Sequence, residues 1–176
     1  MIQQTKWFDR TFDFDFPLGL FPCILERLSG TPARLEELVL TAPTKILTAR
    51  VDGKWSIQEH IGHLYDLEEL HDGRINDYRA GATALRAADV NNKKTEEAHH
   101  NTKPIHLLLQ QFRQSREQFV QHLTSLNEEI LTFTALHPRL QQQMRAIDLA
   151  YFVAEHDDHH IARMRAILQT LNKKPG

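Results

Sequence analysis

The stretch Glu155-His156-Asp157-Asp158-His159-His160 holds the residue types best suited to chemistry in this chain. On a helix His156 and His160 are i and i+4 neighbours with Cβ atoms about 5–6 Å apart. Both imidazoles can then reach one metal ion at roughly 2.0–2.1 Å. A helical wheel sets the pair in an apolar stripe with Leu149, Phe152, Val153, Met164, Ile167 and Leu171, while His159 falls on the flank. A polar pair in such a stripe needs a partner, which a divalent ion supplies; the plainer alternative is a hydrogen-bonded core pair. The motif His-Glu-x-x-His is absent, so the general-base Glu of that metalloprotease arrangement is missing. Asp157 and Asp158 point off the stripe, where they could hold an imidazole on a neighbouring helix or across an interface.

A metal in a bundle core takes ligands from facing helices. The second helical pattern offers His60, His63 and His71 on or beside its apolar side, and periodicity does not choose among them. Glu59 and Asp66 lie within about a turn of His63. They are candidates for a general base or for outer partners of a ligand, although solvated helix charges are the simpler reading. Cys23 reads as a packed thiol, His99-His100 as solvated, and His137-Pro138-Arg139 as a turn that could approach the site.

Four long helical patterns must position these groups, over about 18–39, from Ser56 to about Tyr78, over about 103–126 and over about 144–171. The first is broken near Ser29-Gly30-Thr31-Pro32, with Thr31 as an N-cap and Pro32 at the first helical position. Ser56 and Glu59 have the spacing of a capping box. Thr102 is a candidate cap for the third helix. Residues 172–176 suit a helix C-terminus. The opening alternation Phe12-Asp13-Phe14-Asp15-Phe16 reads as an extended arm on the body, residues 1–17. Without a convincing strand pair, the chain is expected to be all-α, a four-helix bundle. The polar connector 80–101 is long enough to span helix 2, so helices 2 and 3 are expected to run parallel, joined by a crossover.

With 176 residues the chain fits a single domain, residues 1–176. A formal net charge of −2 gives no electrostatic footprint for nucleic acid or an anionic membrane surface. The lone Cys23 excludes an intrachain disulfide, and no apolar run reaches the ~18 residues of a membrane span. These features suit a cytoplasmic protein. The eleven histidines are the oddity, spread through the chain rather than gathered as a tag.

Two segments resemble one family. Trp55-Ser56-Ile57-Gln58-Glu59-His60-Ile61-Gly62-His63-Leu64-Tyr65-Asp66-Leu67-Glu68 is similar to the second-helix signature of DinB/YfiT-like proteins. Met144–Phe152 leading into Glu155–His160 is similar to their fourth-helix signature, and order, spacing and connector lengths fit over nearly the whole chain. The resemblance implies an up-down-down-up bundle, often dimeric, whose divalent metal is held by His63, His156 and His160. It also implies metal-dependent hydrolase chemistry or, in a subset of the family, thiol S-transfer using bacillithiol or a related low-molecular-weight thiol.

Three neutral imidazoles leave the ion's charge intact and a coordination position open. Such a site could activate water or a thiol for attack on a small-molecule substrate. The metal stays open among zinc, nickel, iron and manganese. The alternative is a non-catalytic metal-binding or stress-associated dimeric bundle. Ligand histidines must be neutral, so affinity is expected to fall as the pH drops through about 6.

Overall fold

The computed structural model describes residues 2–172. Its helices are α1 (Phe21–Val39), α2 (Thr44–Leu47), α3 (Ile57–Arg79), α4 (Lys93–Glu97), α5 (Ile105–Thr124), α6 (Glu128–Thr132) and α7 (Ala146–Asn172). The four long ones, α1, α3, α5 and α7, form the bundle, α1 and α3 each packing on both α5 and α7. The expected closing signal at 173–176 lies outside the described residues.

Side-chain pairs fix the helix directions. Gln58 bonds the Lys103 carbonyl near the start of α3, Glu68 bonds Arg116 midway, and Arg79 bonds Ser125 at the far end. Thus α3 and α5 run parallel, as a crossover requires. Arg27 reaches Glu155 and Arg34 reaches Asp158, which sets α1 parallel to α7. His60 meets His160 while Tyr78 bonds the Met144 carbonyl, so α3 opposes α7. The result is the expected up-down-down-up bundle.

Contrary to the sequence reading, α1 runs unbroken through Pro32. Proline removes the donor that would serve the carbonyl four residues back. That carbonyl, on Leu28, instead accepts from the Arg116 guanidinium at 3.4 Å. Thr31 is not a cap; its hydroxyl donates to Asp157 at 2.8 Å. A distant arginine thus offsets a local helix-breaking signal.

Each long helix contributes one residue to a buried polar layer: Thr31, Glu68, Arg116 and Asp157. Apolar residues flank it on both sides, with Leu28 and Leu35 on α1 and Phe112 and Phe119 on α5, so the core divides into two clusters. Burial opposes the charge of Arg116, but Asp157 and Glu68 outweigh it and hold the guanidinium protonated. Burial pushes the Glu68 carboxyl up, the direction that relieves two carboxylates facing one cation. Asp157 and Asp158 are therefore absorbed by arginines, Asp158 by Arg27 and Arg34, and neither bonds a histidine among the described residues.

A small hairpin, unforeseen in the sequence, precedes α7. Strand β1 (Thr134–His137) pairs antiparallel with β2 (Gln142–Arg145), Thr134 opposite Arg145 and His137 opposite Gln142. Four-residue strands reading Thr-Ala-Leu-His and Gln-Gln-Met-Arg lack the β-branched or aromatic run that marks a strand. The connector docks on this hairpin, since the Leu85 amide donates to the Leu136 carbonyl at 3.0 Å.

The N-terminal arm lies over its own α7. Phe12 is buried, Phe14 and Phe16 pack on the core, and Asp13 and Asp15 stay outside, as their alternation requires. Arg10 and Gln4 tie the arm to Glu155 and His159. Cys23, expected to be packed, is exposed on α1. Among the described residues no helix is long and apolar enough to cross a membrane.

Candidate metal centre

Helix α3 presents His63 to α7, which presents His156 and His160, and one ring nitrogen of each lies within 4.8 Å of the others. The Nε2 atoms of His156 and His160 are 3.1 Å apart. Two nitrogens bound to one ion at ordinary lengths and angles stand about 2.9–3.3 Å apart. All three residues are buried. The donor set therefore fits a divalent ion.

The surrounding contacts orient the rings. The Thr95 hydroxyl donates to Asp66 at 2.9 Å and lies 3.2 Å from His63 Nδ1. With its own proton committed, that hydroxyl can only accept from His63, which places the imidazole proton on Nδ1 and leaves Nε2 as the free lone pair. His60 Nδ1 stands 2.8 Å from His160 Nδ1, so His60 can accept a hydrogen bond from a His160 Nδ1–H, the tautomer that leaves the His160 Nε2 lone pair free too. His156 Nδ1 is buried without a hydrogen-bond partner.

Asp66 also accepts from His100 Nε2 at 2.8 Å. His100 is therefore buried, not solvated as the polar connector suggested, and Asp66 is an outer partner rather than a surface charge. The approach depends on Gly62, where a Cβ would come within 2.2 Å of the His100 ring. A glycine inside a strongly patterned helix is the sequence signal for this contact; Thr95 leaves no comparable trace. Glu59 is buried as well, and forms the expected capping box with Ser56 while pairing with Arg50. Burial raises its carboxyl, but those bonds outweigh it and hold it below the usual range.

Thr95→Val is expected to weaken metal affinity about 10- to 100-fold with the helix content unchanged, because it frees the His63 ring. Competition with a chromophoric chelator measures this, and an affinity within twofold of wild type would contradict the outer-partner role.

The three histidines line a cavity of about 200 Å³. Trp55 packs against His63 with ring centres 4.8 Å apart, and Trp7 of the arm packs on His156 at the same distance. Phe8, Leu67, Leu70 and Phe152 complete an apolar wall, and His71, His137, Arg139 and His159 also face the cavity. His71 and His159 thus border the centre without joining the cluster of three. The turn Pro138–Gln141 brings His137 and Arg139 to the site, a role its sequence only hinted at.

Burial holds the rings neutral. It lowers His60 to about 3, His63 to about 4 and His137 to about 3; neighbouring positive or titrating groups add to the effect at His60 and His137, whereas Asp66 opposes it at His63. His156 and His160 fall well below the ordinary value for the same first reason. Protonation therefore competes with a metal below the pH of about 6 that ordinary histidines would set. For the metal-free chain the sign is fixed. Above pH 6.5 these histidines are neutral folded and unfolded; below it the unfolded chain binds protons that the folded chain refuses. Stability should fall as the pH drops from 6.5 towards the folded values of about 3–4, by about 1.4 kcal/mol per pH unit for each such histidine. Urea unfolding at pH 7, 6 and 5 measures the slope; a flat profile would contradict neutral burial.

The chain is thus an up-down-down-up helical bundle with three histidines converging between α3 and α7 as a candidate metal site. The family model of the DinB superfamily matches residues 27–164, and the chain belongs to that superfamily. It is similar to the solved structure of YfiT from Bacillus subtilis, described as a probable metal-dependent hydrolase with an unusual four-helix bundle topology. The two share 18% identity at a TM-score of 0.79, covering 94% of this chain and 95% of that one. A mycothiol-dependent maleylpyruvate isomerase is similar at 11% identity and a TM-score of 0.68, with 88% of this chain covering 63% of that protein. At these identities the likeness establishes the fold. No curated protein matches the sequence.

Proposed function

We propose that the chain is a metal-dependent enzyme in which His63, His156 and His160 hold one divalent ion beside an apolar-walled cavity. The observation that carries this reading is the convergence of three buried, neutral imidazoles on one point of the cavity wall. When bound, the ion supplies Lewis acidity that makes a water or a low-molecular-weight thiol nucleophilic near neutral pH. The chain's own residues do the rest. Thr95 with Asp66 fixes the tautomer of His63, and His60 can accept from His160 Nδ1–H, so that ring lone pairs face inward. Trp7, Trp55 and Phe152 exclude water and form a surface for the apolar part of a small electrophile. Asp66, tied to Thr95 and His100, serves as a positioning group, and Glu59 has its oxygens committed to Arg50 and Ser56.

Both nucleophiles are kept because one similar structure is described as a probable metal-dependent hydrolase and the other as a mycothiol-dependent isomerase. Metal-loaded protein is expected to turn over a substrate in one of two screens, an ester and amide hydrolysis panel or a thiol-plus-electrophile panel. His160→Ala should abolish that turnover. Inactivity of loaded protein across both panels would favour the non-catalytic metal-binding or stress-associated bundle instead.

A further inference from the structure

Two arginines on the wall of this cavity have no anion to neutralise them. Arg74 of α3 is 2% exposed; its Nε donates to the Arg86 carbonyl at 3.1 Å, and its Nη2 has no hydrogen-bond partner. The nearby carboxylate that could serve it, Asp77, is taken by the Arg86 side chain and amide. Arg139 lies over the rings of Trp7, Phe8 and Phe152, with centroid distances of 5.3–5.7 Å, and its buried Nη2 is also without a partner. Neither forms an ion pair among the described residues; Arg79, Arg163 and Arg165 form none either, but they do not line this cavity and have no buried nitrogen left without a partner. Asp89 also borders the cavity, but its oxygens cap the Asn91 and Lys93 amides.

Two like charges desolvated at one cavity are costly unless an anion completes them. Burial lowers Arg74 to about 10; Tyr78 and Asp77 oppose the shift, and the neighbouring Arg139 and Arg86 charges add to it. His137 Nε2 and His71 Nδ1, both buried and without partners, face the same space. The guanidinium fork matches a carboxylate bidentately, and the rest of the wall is aromatic and aliphatic.

We propose that Arg74 and Arg139 form a carboxylate subsite, so that the substrate is a small acid with an apolar body held beside the three-histidine centre. This rests on the cavity's being the substrate site of the proposed enzyme, and the subsite would place the acid's reactive carbon towards the histidines. Charge supplies the selection and the apolar wall the affinity.

The test is calorimetric titration of the full chain with phenylacetate, its neutral isostere phenylacetamide, and inorganic phosphate, on metal-free and zinc-loaded protein. Phenylacetate should bind metal-free protein saturably and at least about tenfold more tightly than the amide, as a charge-assisted bond requires. Arg139→Met should weaken phenylacetate about 10- to 100-fold and leave the amide unchanged. Arg74→Met should do the same; where it fails to fold, Arg74→Lys, which keeps the charge but loses the fork, replaces it and should still bind phenylacetate more weakly. Equal binding of acid and amide, no saturable binding of phenylacetate, or Arg139→Met behaving as wild type would overturn the subsite. Phosphate bound more tightly than phenylacetate would overturn the assignment to apolar carboxylates. The metal-free arm keeps this outcome separate from the metal centre, which is tested by zinc binding alone.

Discussion

Arg116→Met is expected to destabilise the protein by about 3–5 kcal/mol. The side chain is 1% exposed and joins three helices: it bonds Glu68 on α3, Asp157 on α7 and the Leu28 carbonyl on α1. Its loss leaves two carboxylates in the core without a cation and returns the Pro32 gap to α1 as an unpaired carbonyl. Against a typical stability of about 5–15 kcal/mol, that is about a fifth of the margin or more. Replacing Glu68, Arg116 and Asp157 together by apolar residues of similar volume should cost far less, because the desolvation penalty is removed with the attraction. Urea unfolding of both variants checks the pair; a loss below about 1 kcal/mol for Arg116→Met would contradict a structural role for the polar layer.

The second large effect is on metal-linked stability. An ion that binds the folded chain alone stabilises it by about 2.7 kcal/mol at a free concentration 100 times its dissociation constant. Stripping the wild type with a chelator should therefore lower its thermal midpoint by several degrees, whereas His160→Ala should melt alike with and without chelator. His156→Ala should behave the same way. Its Nδ1 has no partner in the fold, so its truncation in metal-free protein removes no hydrogen bond at that atom. If the histidines only packed, the order would reverse: the chelator would change nothing in the wild type, and each alanine would lower the midpoint through its cavity.

The bundle was legible because its signals are periodic. The apolar stripes gave four helices, the length of the connector implied the parallel pair α3 and α5, and the i, i+4 histidines of α7 stood out inside a stripe. What stayed hidden depends on contacts between segments far apart in sequence. Pro32 reads as a break until Arg116, 88 residues from Leu28, reaches that carbonyl. Thr95 and His100 sit in a polar connector without periodicity and gain meaning only where α3 offers Gly62 and Asp66. Arg74 carries no signal of its own and Arg139 only that of a turn able to approach the site, and nothing in their local sequence reveals that Asp77 is committed to Arg86. The choice of His63 among three candidates on α3 came from family resemblance; in the structure a ring nitrogen of His63 lies within 4.8 Å of one on each of His156 and His160.

Whether those three imidazoles share one ion decides the function of the cavity. Elemental analysis of purified wild type beside His63→Ala, His156→Ala and His160→Ala, each with helix content verified by circular dichroism, tests it most directly. One equivalent of a divalent metal per chain in the wild type, falling below about a tenth in every folded variant, is the predicted result. A folded His156→Ala or His160→Ala variant that keeps a full equivalent would contradict it.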